Sequence, residues 1–115
     1  MVCDVPLPEN ASEELREIRR AKHRLITAEY NMILSSTTVI HFETAVRASR
    51  ETVDRIEWAK YYNLSDYSED AINRAKEREE MMRAILIMSR GMLVIAQKEV
   101  ERAKQFAKNA LRKSS

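Results

Sequence analysis

Residues that form turns are scarce in this chain of 115 residues, which contains one glycine and two prolines. Strands joined by tight turns depend on such residues, so their scarcity excludes a β-rich fold. The abundant residues are alanine, glutamate, lysine and arginine, which favour helices. Hydrophobic residues make up 44% of the chain and charged residues 33%, as expected for one folded domain. The composition therefore predicts an all-α protein.

Residues that carry chemistry are also scarce. The single cysteine, Cys3, can neither close an internal disulfide nor build a multi-cysteine metal site. Arg20 lies three residues before His23, and Thr38 lies three residues before His41. The Glu-x-x-His pattern of di-iron bundles is therefore absent. A hydrogen bond to a neighbouring helix or to water is favoured for His41 over a role as a ligand. We expect no catalytic, cofactor-binding or metal-binding residues, and no enzymatic activity.

Long apolar runs are missing as well. The longest, from Ala84 to Ala96, is interrupted by Ser89, Arg90 and Gly91 and is too short to span a bilayer. The first residues lack the basic segment and apolar run of a secretory signal, so we expect a cytoplasmic protein. Twenty Lys and Arg against eighteen Asp and Glu give a net charge of +2, which indicates neither nucleic acid nor a membrane surface by itself.

Two helix starts are visible in the sequence. Asn10 followed by Glu13 resembles a capping box, and Ser68 is followed by two acidic residues that suit a first turn. We predict one helix over residues 11–62 and a second over residues 69–113, joined by a short loop. Residues 1–9 are expected to be a disordered or extended leader, and residues 10–115 a single helical-hairpin domain.

An alternative is four shorter helices, broken at residues 35–38 and 89–91. Apolar and small residues, with Glu79 as the exception, recur at alternating spacings of three and four through both segments without a slip. A true turn has no reason to preserve that phase, so we predict that both helices are continuous.

The packing register of the hairpin follows from the small residues. When the chain folds back so that paired residue numbers sum to 131, every layer sets small against small or large against small, as close helix packing requires. The predicted pairs are Ala21 with Ala110, Ala28 with Ala103, Ser35 with Ala96, Phe42 with Ser89, Ser49 with Met82, and Ile56 with Ala75.

The paired residues form the packing surface between the two helices, which we call the seam. Apolar residues outside the seam predict a second packing contact. A two-helix hairpin buries one seam only, so these residues need another partner, and we predict an antiparallel dimer that closes a four-helix bundle. Residues 43–86 carry 8 basic and 10 acidic side chains against 12 and 8 in the remainder, so antiparallel copies stack opposite charges. In this dimer a stripe of isoleucines on the first helix lies against a stripe of methionines and isoleucines on the partner's second helix. The predicted dimer interface consists of Ile26, Ile33, Ile40, Met81, Ile85, Met88, Gly91, Met92 and Ile95.

Two further clusters are candidate binding surfaces. Trp58, Tyr61, Tyr62 and Tyr67 lie near the loop, where we expect them to cap the end of the hairpin, with docking of a partner as the alternative. Basic residues gather at the open end, interleaved with glutamates, and define the possible contacts to nucleic acid. They are Arg16, Arg19, Arg20, Lys22, Arg24, Lys104, Lys108, Arg112 and Lys113.

These observations favour a non-enzymatic structural or adaptor protein that dimerises and binds an as yet unidentified protein partner through its helix faces. The alternative is a bundle that binds nucleic acid through the basic open end. In architecture alone, the predicted hairpin dimer resembles small RNA-binding hairpin dimers. The resemblance extends to no residue motif.

Overall fold

The computed structural model describes residues 12–113, which form two α-helices and, within that range, no strand. Helix α1 spans Glu13–Tyr61 and helix α2 spans Glu69–Lys113. The all-α helical hairpin predicted from the sequence is confirmed, and the predicted boundaries agree to within two residues. The leader at residues 1–9 and the expected cap Asn10 lie outside the described residues.

Both helices are continuous, so the alternative of four shorter helices is wrong. No break occurs at residues 35–38 or 89–91. Ser89 fits inside α2 because its hydroxyl donates a hydrogen bond of 2.8 Å to the carbonyl oxygen of Ile85, one turn earlier. The side chain is thereby satisfied without a change in the helical path.

Serine caps explain where the helices begin. The Ser12 hydroxyl oxygen accepts a hydrogen bond of 3.2 Å from the backbone N–H of Leu15. The Ser68 hydroxyl oxygen accepts one of 3.1 Å from the N–H of Ala71. Each bond satisfies a donor that the first turn of a helix leaves without an intrahelical partner. Helix α1 therefore begins at residue 13, two residues later than predicted.

Helix α1 ends in a Schellman motif around Asn63. Asn63 has a φ of 57°, its N–H donates to the carbonyl oxygen of Lys60, and the N–H of Leu64 donates to that of Ala59. Asparagine tolerates this left-handed conformation better than most residues. Across the loop, the Lys60 ammonium donates a hydrogen bond to the Glu69 carboxylate, which lowers the pKa of that carboxyl. The loop is thus fixed by backbone and side-chain hydrogen bonds together.

The predicted seam accounts for the burial pattern. None of the 24 positions that continue the three-and-four spacing in α1 and α2 is exposed in the described chain. The most deeply buried is Ala103, at 0% exposure. Alanine or serine at ten of these positions lets the two helices approach closely.

Contacts between the helices divide the chain into two compact units. The first unit joins α1 up to Ser35 to α2 from Leu93 onward. Its core is a cluster of three buried residues against which two larger apolar side chains pack. The cluster contains the predicted pair Ala28 and Ala103, together with Val100, Leu25 and Met32.

The second unit comprises residues 36–92, with the loop between its helical segments. Its buried residues are Val39, Ser49, Val53, Ile72, Leu86 and Ser89. Ion pairs between Glu43 and Arg90 at 3.9 Å and between Glu57 and Lys76 at 3.0 Å lie beside this core. Such pairs are exposed, so they contribute to the register of the helices more than to stability.

Candidate functional site

An exposed apolar stripe on α2 is the most prominent candidate site. Its residues recur at spacings of four, three, four and three, which places them on one face of the helix. Four of the five side chains are exposed, while Ile85 is half-buried. The stripe consists of Met81, Ile85, Met88, Met92 and Ile95.

The exposure of this stripe is large for apolar side chains. Met81 is 58% exposed, Met88 68%, Met92 64% and Ile95 66%. Single exposed apolar residues are common on protein surfaces, whereas a contiguous set of this kind is typical of interaction sites and makes the stripe a candidate. All five residues belong to the dimer interface predicted from the sequence, and within the chain they remain largely uncovered.

The isoleucine stripe predicted on α1 is also uncovered in part. Ile33 is 59% exposed and Ile40 64% exposed, whereas Ile26 is half-buried. These residues recur every seven positions and therefore follow one line along α1. The α1 stripe is narrower than the α2 stripe because it has one apolar residue per two turns instead of two.

Within the second unit, the two stripes lie on opposite sides of the seam. Ile40 lies three residues before Glu43, so both occupy the side of α1 on which Glu43 pairs with Arg90. Met88 lies two residues before Arg90, and residues two apart on a helix point in nearly opposite directions. Ile87, three residues before Arg90, shares the side of Ile40, so one face of this unit carries these two isoleucines and the opposite face carries methionines.

Apolar residues on a third line along α2 were missed by the sequence analysis. Ile87 is 69% exposed and Val94 47% exposed. They lie seven residues apart, as a stripe predicts, but the analysis assigned a single surplus stripe to each helix. The signal that could have found them is the charge-poor segment from Ala84 to Gln97, where Arg90 is the only ionised residue.

Gly91, predicted to lie in the dimer interface, is exposed on α2. A Cβ atom built at this position would have no non-local neighbour within 4 Å. The place of Gly91 in the dimer interface stays a prediction. The ring of His41 makes an edge-to-face contact with that of Phe42, with ring centroids 5.1 Å apart.

The aromatic residues near the loop pack on one another in the second unit. Trp58 and Tyr62 have ring centroids 5.2 Å apart, and Tyr61 and Tyr62 5.0 Å apart. All three side chains are exposed, as is Tyr67. The cluster is consequently an exposed surface of this unit, available to a partner.

The nine basic residues predicted to contact nucleic acid all lie in the first unit, and all but the half-buried Arg19 are exposed. Acidic side chains accompany many of them. Ion pairs link Arg20 to Glu13 at 2.6 Å, Arg24 to Glu99 at 3.1 Å, Lys104 to Glu101 at 3.7 Å and Lys113 to Glu17 at 4.0 Å. Arg16, Arg19, Lys22 and Arg112 also take part in interactions.

Two exposed aromatic side chains, Tyr30 and Phe106, lie in the first unit. Arg24 lies over the Phe106 ring at 5.3 Å from the ring centroid. This cation–π contact occupies a ring face on which a base would otherwise stack. A groove of about 480 Å³ between Glu17, Arg20, Phe106 and Arg112 contains both signs of charge.

Metal binding finds no support in the described residues, among which no three His, Cys, Asp or Glu side chains gather closely enough to hold an ion. A second groove, of about 300 Å³, is lined in the second unit by Ala45, Ala48, Thr52 and Arg78 among others. It contains one charged group, so it offers no pair of acid and base for catalysis.

Comparison of the chain with known protein families, curated proteins and solved structures gives no match. Over residues 12–113, neither helix combines the length and the apolar character needed to cross a membrane.

Proposed function

We propose that the protein is a non-enzymatic structural or adaptor protein that self-associates through its exposed helix faces. Self-association as an antiparallel four-helix bundle in the cytoplasm, which the sequence suggested, remains part of this proposal. Its remaining surfaces, including the aromatic cluster near the loop, are proposed to bind another protein.

The observation that supports this proposal is the exposed stripe on α2. Full transfer of a large apolar side chain from water contributes about 1.5–3 kcal/mol, so the four exposed members favour association against its entropic cost. Methionine is common at adaptable binding surfaces because its unbranched side chain fits irregular partners. Neither property requires a catalytic group.

Sedimentation velocity of three variants tests the proposal. Met88→Asp places a charge in the proposed interface and is expected to shift the protein to the monomer, because an unpaired buried charge is costly. Ile33→Asp is expected to have the same effect if the α1 stripe is also covered. Leu111→Asp is the matched control, since Leu111 is an exposed apolar residue of the same helix as Met88, twenty-three positions later and on a different face. Equal sedimentation of all three variants and the wild type would contradict the proposal.

The alternative, binding of nucleic acid through the nine basic residues, is less well supported because glutamates pair with several of them. It predicts an affinity for RNA or DNA that falls steeply with added salt, as phosphate contacts release counterions. Fluorescence anisotropy with labelled RNA and DNA at low and high salt measures this dependence. Absence of binding at low salt would remove the alternative.

A further inference from the structure

We propose that the α2 stripe is covered by the α2 stripe of a second copy, packed antiparallel with Met88 at the two-fold axis. This inference rests on the proposed self-association and adds the partner helix, its direction and its register. It differs from the arrangement expected from the sequence, in which the α2 stripe faces the isoleucines of the partner's α1.

The first argument is the periodicity of the stripe. A helix that packs in a coiled-coil seam buries residues at alternating spacings of three and four. Helix α2 carries one such seam toward α1 and a second one at the stripe, on a different side. From Met81 to Ile95 the spacing of the stripe alternates between four and three residues, and no stripe position is polar. The stripe therefore has the same spacing as the seam with α1, which is the spacing that packs against another long helix. On α1, by contrast, one isoleucine per heptad provides half of such a seam.

The second argument is the symmetry of the stripe about Met88. In an antiparallel pair with Met88 opposite itself, Met81 faces the partner's Ile95, and Ile85 faces the partner's Met92. Every apolar residue of one copy then meets an apolar residue of the other. A two-fold interface has this self-complementary property because the same surface serves both subunits.

The third argument is charge. The spacing of the stripe continues to Arg78, three residues before Met81, and to Glu99, four residues after Ile95. In the antiparallel register Arg78 of one copy lies opposite Glu99 of the other. In a parallel pair each would face its own like charge, which disfavours that direction. Further out, Arg74 faces the partner's Arg102 when the helices are antiparallel. Two attractive and two repulsive contacts thus arise in the antiparallel pair, against four repulsive contacts in the parallel pair.

The expected size of the interface defines the concentrations to study. At roughly 100 Å² for each large apolar side chain, the stripe exposes on the order of 400 Å² per copy. Two copies with their flanking aliphatic stems would bury about 1,000 Å², at the low end of specific interfaces. We therefore expect a reversible dimer in the micromolar range.

Disulfide cross-linking of full-length single-cysteine variants tests the register, in a Cys3→Ser background that removes the native thiol. Met88→Cys brings two thiols together at the axis and is expected to form a covalent dimer on mild oxidation. Ile95→Cys is the matched control, because its two copies lie about 21 Å apart along an antiparallel pair, beyond the reach of a disulfide. We expect its cross-linking to be about tenfold weaker than that of Met88→Cys.

Two results would overturn this inference. Equal cross-linking of Ile95→Cys and Met88→Cys would indicate parallel helices. Efficient cross-linking in a mixture of Met88→Cys with tagged Ile33→Cys, but not of Met88→Cys alone, would indicate that the stripe faces α1 of the partner. Sedimentation of the wild type tests the proposed function separately from the register. If the wild type is a dimer but cross-linking gives one of these two results, self-association holds and only the proposed packing is wrong. If the wild type is a monomer at all concentrations, both proposals are wrong. Circular dichroism of each variant verifies that its helix content equals that of the wild type.

Discussion

Substitution of Gly91 by alanine is expected to stabilise the protein. Glycine in a helix interior is less favourable than alanine by about 0.8–1.0 kcal/mol, because it loses more backbone freedom on folding. This loss applies in full at Gly91, where α2 is regular and an added Cβ has no non-local neighbour within 4 Å. A gain of about 1 kcal/mol corresponds to a rise in melting temperature of roughly 4 °C.

Thermal and urea unfolding followed by circular dichroism measure this effect, at one protomer concentration because association adds to apparent stability. Ala84→Gly is the matched control: Ala84 is also exposed on α2, seven residues earlier, and its replacement is expected to cost the same amount. If Gly91→Ala destabilises the protein while Ala84→Gly behaves as expected, a partner or another part of the chain packs over Gly91. Gly91→Leu then distinguishes the two cases, because only a partner contact makes the larger side chain weaken the dimer.

Three further predictions concern the seam, the loop and the proposed interface. Ala103→Leu is expected to lower the free energy of unfolding by about 1–3 kcal/mol through overpacking in the first unit, whereas Lys98→Leu at an exposed position is expected to be nearly neutral; denaturation curves that coincide would refute the seam. Asn63→Ala is expected to cost about 1 kcal/mol in thermal unfolding, because alanine resists a φ of 57°; an unchanged melting temperature would contradict this account of the loop. Arg78→Glu is expected to raise the dimer dissociation constant and Arg74→Glu to lower it, and sedimentation equilibrium that moves both constants in one direction would contradict the antiparallel register.

The fold could be predicted largely from the sequence because long helices repeat their pattern many times. Twelve seam positions in each helix agree on one phase, so a weak helix former such as Ser35 or Gly91 does not outweigh the rest. The pairing of Ala28 with Ala103 followed from side-chain size, and both lie in the core cluster of the first unit. The repeated pattern explains why these predictions hold.

The ends of the helices were less predictable, because caps depend on single hydrogen bonds. Ser12 and Asn10 are both good capping residues, and the sequence alone does not rank them. The end of α1 depends on the left-handed conformation of Asn63, which the sequence indicated only as part of a polar break. Each helix boundary depends on one residue, so no repeated pattern along the chain compensates when that residue is misread.

The candidate site was predictable in part. The five residues of the α2 stripe were identified from their surplus over one seam, and they are largely uncovered in the chain. Ile87 and Val94 were missed because a periodic pattern detects the strongest faces and not every exposed residue. What covers a face depends on the partner, and a single chain carries this information only through shape and charge complementarity.

Multi-angle light scattering of the full-length wild-type chain over a range of micromolar concentrations tests self-association most directly. The account predicts a mass that rises with concentration toward twice the monomer value of 13.4 kDa. A mass of 13.4 kDa at every concentration would contradict it.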